Sequence, residues 1–415
     1  MKKFLFLLFA FVLSLSAQTN QNLIKENTIN VYVDCRGCDI NYLKEKIEYV
    51  NFVRDRKDAD VHILFSSQRT GGGGKKVSLF FIGLNKFRNT NDTLFYTMKN
   101  DDTNDMERVK MEHVIKLGLM KYVAKTPVSE NIEIRFKKAK SAGEKKEKTD
   151  EWNFWVFNTG VDGFVNGSEN TNYYYFYGDV SASRVTEELK LNLRVYGNYN
   201  EQNFTYNDIV TKSIKRNYGF SGAVIKSLTE HWSAGMWARI SSSAYSNLRL
   251  ALKLSPGIEY NIFPYSMSNS KQLRIGYYLE GLRNKYFEET IYFKTEETLL
   301  RHSLRISVEL VQPWGSVDMN VSWGNYLHDF SKYSIDTDLS MNLRLIKGLS
   351  LRVRGGYSKI NDQLYLPKRG ATKEEVLLQQ RELETQYRFW GSIGFSYTFG
   401  SIYNNIVNPR FGDRF

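Results

Sequence analysis

From residue 249 onward, hydrophobic and polar positions alternate with a period of two. In 249–263 the even positions Leu250, Leu252, Leu254, Ile258, Tyr260 and Ile262 are apolar, while Arg249, Lys253, Ser255, Glu259 and Asn261 are polar. Successive side chains of a strand point to opposite faces, so this pattern predicts strands with one apolar and one polar side. Leu273 to Leu279, Leu304 to Leu310, Val317 to Trp323 and Leu339 to Leu345 repeat it, as does a last strand that puts Phe389, Ile393, Phe395, Tyr397 and Phe399 on one side. Twelve strands are expected, at 153–165, 173–185, 189–200, 214–228, 231–243, 248–263, 272–286, 300–311, 316–326, 335–345, 349–359 and 387–400. Tight connections such as Glu187-Glu188 and Ile346-Lys347-Gly348 alternate with long ones such as 287–299 and 360–386. That phase belongs to an antiparallel transmembrane barrel with short inner turns and long outer loops. The connection 264–271 is long for a turn, and Pro256 within a strand predicts a bulge there because it has no N–H for the ladder.

Residues 28–135 follow a different pattern. Strands are expected at 29–33, 59–65, 77–82, 93–98 and 132–136, and helices at 42–49 and 105–123, the second with Val109, His113, Leu117 and Met120 at helical spacing. The order β-α-β-β-β-α-β predicts a small α/β domain. Thr70-Gly71-Gly72-Gly73-Gly74-Lys75 is Gly-rich, but Lys76 stands where a phosphate loop needs Ser or Thr, and a strand follows; a hairpin is expected. Residues 136–150 are charged and read as a solvated linker between this domain and a barrel at 152–400, with a tail at 401–415.

The first 17 residues carry Lys2 and Lys3, an apolar run from Phe4 to Leu13, and small residues at Ser14, Ser16 and Ala17. This is the form of an export signal. Beyond it no apolar run approaches the roughly 20 residues of a membrane helix, yet 14% of residues are aromatic. The net charge of +12 points to an anionic partner. Export excludes nucleic acid and leaves outer-membrane lipid and lipopolysaccharide, together with a periplasmic or outer-membrane protein partner. Cys35 and Cys38 are the only cysteines. A disulfide is expected in an oxidising compartment, with a redox motif or free thiols as alternatives. No further ligands for a metal stand nearby, and no cofactor is implied.

The element order of the front domain, its Asp58-Ala59-Asp60-Val61 strand entry and its Gly-rich hairpin resemble the amino-terminal domain of the Tol-Pal system's periplasmic propeller protein. The resemblance implies a protein-docking module without catalysis. The ending Tyr397-Thr398-Phe399-Gly400 resembles the closing strand of outer-membrane β-barrels of Bacteroidetes, although fifteen residues follow it. That likeness implies an outer-membrane barrel with the front domain in the periplasm.

The polar faces carry charge. Lys190, Arg194, Arg239, Arg249, Lys253, Arg274, Arg305, Arg344, Arg352 and Arg354 are expected to point inward against Asp162, Asp179, Glu259, Glu280, Glu309 and Asp318. Such a lumen is net basic and would favour anions if open. Lys253 is expected opposite Glu280, Glu259 opposite Arg274, and Glu309 opposite Asp318, with Arg305 nearby. A hydrolase would need a catalytic set. His302 has Ser303 as its chain neighbour, but neighbours on a strand face opposite sides, and His231 and His328-Asp329 lie in connections. The expected function is therefore a pore, transport or partner-docking barrel and not an enzyme. The alternatives are a non-channel scaffold in envelope assembly or secretion, and a surface hydrolase.

Overall fold

A computed structural model describes residues 25, 27–135, 150–206, 209–372, 381–405 and 407. The expected export signal, most of the charged linker and the end of the tail lie outside the described residues.

The front unit is a five-stranded sheet with helices on one face. Its elements are β1 Asn30–Asp34, α1 Ile40–Lys46, β2 Asn51–Phe52, β3 Val61–Arg69, β4 Lys75–Gly83, β5 Asn91–Met98 and α2 Asn104–Val123, in sheet order β2-β1-β3-β4-β5. Asp39 caps α1 by accepting from the Tyr42 N–H at 2.9 Å, and Thr103 caps α2 by accepting from the Met106 N–H at 3.3 Å. Ile29, Val31, Leu43, Ile63, Leu79, Phe81, Ile115, Leu119 and Tyr122 form the core between sheet and helices. The Gly-rich stretch is the expected hairpin, turning at Gly73 with φ +79°.

One expectation for this unit fails. Residues 132–135 do not form a closing strand. The free side of β2 is taken instead by the carboxy-terminal tail: Val53 bridges Tyr403, the Arg54 N–H donates to Ile402 O at 3.0 Å, and the Asn404 N–H donates to Phe52 O at 2.8 Å. Helix α2 forms over the expected residues, with Met120 of the spaced set packed partly buried against the core. Met111, Ile115, Leu119 and Tyr122 are buried, whereas Val109 and Leu117 are exposed. The helix is apolar on both sides, so spacing alone does not choose between them.

The rest of the chain is a twelve-stranded antiparallel meander. Its strands are β6 Trp155–Gly167, β7 Thr171–Val185, β8 Leu189–Tyr206, β9 Ile209–Ser227, β10 Trp232–Ser243, β11 Leu248–Asn261, β12 Lys271–Tyr286, β13 Glu296–Gln312, β14 Gly315–Tyr326, β15 Asp329–Ile346, β16 Leu349–Ile360 and β17 Tyr387–Tyr397. Each pairs with its chain neighbours; among the described residues β6 pairs with β7 alone and β17 with β16 alone. Pro256 interrupts pairing to β12 at Ser255–Pro256, but the register is the same on both sides, so no bulge forms there.

The sheet is rolled up. The front unit touches the ends of β7, the β11–β12 connection, the β15–β16 turn and the chain just after β17. Laid flat, β7 and β17 would be about 48 Å apart at ~4.8 Å per strand, far beyond the reach of a unit of about 100 residues, whose radius of gyration is ~13 Å. Only curvature brings these ends under one small unit.

Burial on the rolled sheet is inverted relative to the front unit. Glu280, Asn284, Ser303, Ser307 and Ser255 are buried, while Leu254, Ile258, Tyr277 and Leu279 on the same strands are exposed.

Candidate functional site

The inner face carries connected polar side chains. Lys253 Nζ lies 2.8 Å from Glu280 Oε2, and Arg301 Nη1 lies 3.6 Å from the same oxygen. Ser303 Oγ donates to Glu280 Oε1 at 3.2 Å, and Glu280 is 4% exposed. A carboxylate this deep is tolerable only because two cations and a hydroxyl surround it. Arg301 continues the chain, reaching Ser334 Oγ at 2.6 Å and Asp362 at 3.4 Å. Arg301 shares the parity of Arg305, which is the signal in the sequence that would have found it.

A second set joins Arg274 to Glu309 at 2.6 Å. Glu309 stands opposite Asp318 as expected, but its cation is Arg274, while Arg305 lies over the Tyr278 ring at 5.0 Å. The Glu259–Arg274 pair does not form. Strand β11 meets β12 two residues out of the expected register, with Asn261 opposite Arg274. The cause is the connection 264–271, which holds a 3-10 turn at Tyr265–Met267 and closes on Ile262 and Leu273. A slip of two keeps every side chain on its face, so Lys253 still meets Glu280 diagonally. Glu259 instead accepts from the Tyr265 hydroxyl at 2.9 Å.

Among the other expected inward residues, Arg194 pairs with Asp179 at 3.1 Å. Arg352 donates to Asn342 Oδ1 at 3.3 Å. Lys190, Arg239, Arg249, Arg354 and Asp162 are exposed on their strands. Arg344 leaves this set for the front unit.

That unit covers the turn end of the rolled sheet. Its helix-free sheet face, with Tyr32, Asp34, His62, Leu64, Ser66 and Gln68, lies against the turns. Arg344 on β15 pairs with Asp34, whose other oxygen lies 3.2 Å from Nε2 of the fully buried His62. Burial pushes the Asp34 carboxyl up, but His62 and Arg344 outweigh it and hold the group below its ordinary range. Lys347 pairs with Asp58, and the Gly348 N–H donates to Asp55 Oδ2 at 2.7 Å. Gln68 Nε2 donates to Ser268 Oγ at 2.8 Å, and Ser66 Oγ donates to Asn269 O. The long 264–271 connection is thus a docking ledge. The glycine hairpin reaches the far side: Ser183 Oγ donates to Gly71 O at 3.1 Å, and a Cβ at Gly71 would stand 2.6 Å from Val185 Cβ. Only glycine permits that approach.

Between unit and turns is a chamber of about 1010 Å³. Arg36, Arg108, Arg344 and Arg352 line it, with Asp34, Asp39, Asp105 and Glu107 and the bonded cysteines Cys35 and Cys38.

The opposite end is covered by the described parts of loop 361–386. Leu364 packs on Leu299 and Tyr326. The Ile291 N–H donates to Leu366 O at 2.9 Å, and Arg381 Nη1 reaches Glu288 at 3.1 Å. Arg381 holds the Glu288 carboxyl below the usual range. Glu382 accepts from the Tyr365 hydroxyl at 2.7 Å and from Ser246 Oγ at 3.2 Å. This long-range folding of a loop had no signal in the periodicity.

His302 lies on the outer face beside Tyr277 at 3.3 Å, away from Ser303 on the inner face. His231 Nδ1 bonds Asn261 O at 2.7 Å, and His328 lies near the Tyr326 ring at 5.7 Å. Among the described residues no cluster could hold a metal, and no helix is long and apolar enough to cross a membrane.

No protein-family model matches the chain, and no curated protein does. Among solved structures it is similar to a NanC porin structure, at TM-score 0.29 and 8% identity, over 58% of this chain and 99% of that one. It is similar to the translocator domain of the autotransporter NalP from Neisseria meningitidis, at TM-score 0.24 and 9% identity, over 59% and 87%. It is also similar to CdiB from Acinetobacter baumannii, at TM-score 0.27 and 9% identity, over 90% and 74%. At these TM-scores the likenesses carry no functional argument.

Proposed function

We propose that the chain is an outer-membrane β-barrel that conducts or binds a polar solute through a net basic lumen, closed at both ends by parts of its own chain. The front unit closes the periplasmic end and the described parts of loop 361–386 the outer end. The observation that carries this reading is the inverted burial: Glu280 is 4% exposed while Leu254 is 50% exposed. Apolar side chains ring the outside of a sheet when hydrocarbon surrounds it. In a bilayer the edges of β6 and β17 pair with each other, because unsatisfied backbone groups there cost several kcal/mol each. Lys190, Arg194, Arg239, Arg249, Arg305, Arg352 and Arg354 then line the lumen, in excess over its carboxylates.

Planar-bilayer recording tests this reading. The full chain is expected to be nearly silent. Arg344→Glu with Lys347→Glu, which repels Asp34 and Asp58, is expected to open anion-preferring steps. A cation-selective reversal potential would overturn the lumen assignment, and silence of the variant would favour a scaffold.

A docking role has its own support. Met106, Val109 and Leu117 are exposed on α2. A protein partner bound there would co-purify with the native chain and be lost from a Val109→Glu, Leu117→Glu variant.

A further inference from the structure

We infer that the outer face of β10–β13 seats one acyl chain of a phosphorylated outer-leaflet lipid, with Arg283 receiving the phosphate. The inference rests on the membrane reading. On this face Gly281 of β12 stands in register between Leu254 of β11 and Leu300 of β13. A Cβ at Gly281 would meet only the Leu254 carbonyl oxygen, at 4.0 Å. The missing side chain leaves a groove of about 460 Å³, walled by Leu252, Leu254, Leu300 and Ile240. Among the described residues no side chain fills it. In hydrocarbon a hollow between leucines has only one filler, a lipid tail, because an empty space forfeits dispersion contacts on every wall.

The cation lies at the right height. An antiparallel rise of ~3.4 Å per residue and a tilt of ~40° give about 2.6 Å of height per residue along β12. The apolar outward positions run from Leu273 to Gly281, which is then about 21 Å, and Arg283 follows at about 26 Å, the edge of an apolar band ~25 Å tall. Arg283 is exposed, and its cross-strand neighbours are Leu252 and Thr298. Among the described residues it makes no ion pair or hydrogen bond, whereas the next outward cation, Lys285, has Glu296 at 3.6 Å. An unpartnered guanidinium at headgroup level, directly above an acyl-sized groove, matches a phosphate that carries a tail. A guanidinium takes a phosphate through two parallel N–H donors.

The test is native mass spectrometry of the full chain extracted in mild detergent and supplied with lipid A. Vesicle flotation of each variant is the control for membrane insertion. Wild type is expected to retain one lipid A, and R283Q to bind it about tenfold or more weakly, the loss of a charged hydrogen-bonded contact. Dephosphorylated lipid A is expected to bind wild type as weakly as lipid A binds R283Q. G281L, which fills the groove, is expected to lose the lipid with Arg283 intact, and inorganic phosphate alone is expected not to displace it. Equal retention by wild type and R283Q in proteins that float, or displacement by inorganic phosphate, would overturn the seat and leave the membrane reading standing. Failure of wild type to float would overturn the membrane reading itself, and the seat with it.

Discussion

The front unit and the barrel solve the same problem in opposite directions. In the front unit, Ile115 and Leu119 are fully buried and lysines such as Lys121 and Lys125 lie outside. In the barrel, Glu280 and Asn284 are buried and Leu279 and Ile258 lie outside. Both follow from backbone groups being paired and from each side chain facing the medium that suits it; on the proposed membrane reading, what differs is the medium. If that reading holds, apolar burial is a property of the surroundings as much as of the sequence, and one chain is written for two solvents.

The largest test of this contrast is Glu280→Ala. It leaves Lys253 and Arg301 without their shared anion in a buried place, and breaking such a set costs about 3–5 kcal/mol. Unfolding of the detergent-solubilised protein should show it, and a loss below ~1 kcal/mol would mean that water fills this region. A matched pair sharpens the comparison further. Leu119→Ala in the front core should cost about 2–5 kcal/mol, whereas Leu279→Ala on the outer face should cost under ~1 kcal/mol, because lipid replaces the lost contacts. Equal costs would mean that the outer face packs against protein.

The smallest effect concerns the contact between the two regions. Asp34 is held below its ordinary 3.8 by His62 and Arg344 despite its burial. A depressed carboxylate contributes stability that is fully present above the ordinary value and is lost as pH falls through the lowered one. Docking of the front unit is therefore expected to be constant above about pH 4 and to loosen below it, read by limited proteolysis across a pH series from 6 to 2. Asp34→Asn should abolish that step. A profile unchanged by Asp34→Asn would remove the Asp34–Arg344 contact from the docking energy.

The twelve strands were legible because period two survives in nearly every one, and the Glu309–Asp318 register followed from the expected pairing. Contacts that depend on a connection were not legible. The 3-10 turn at Tyr265–Met267 shifted a register by two and sent Arg274 to Glu309 in place of Glu259. Arg344 obeys the parity rule, yet its partner Asp34 lies 310 residues away, beyond any local pattern. Helix α2 was legible at 105–123, but the choice of its buried face was not: Met106, Val109 and Leu117 are as apolar as the buried side, and only the position of the sheet distinguishes the two.

The tail that completes the front sheet has a consequence for the order of synthesis. Strand β2 is made long before its edge partner at residues 402–404. Nothing made earlier occupies that edge. The front unit therefore holds one hydrogen-bonding position vacant until those residues have been made. That position is filled only after β17 has been delivered, and a chain cut short before residue 402 leaves it open.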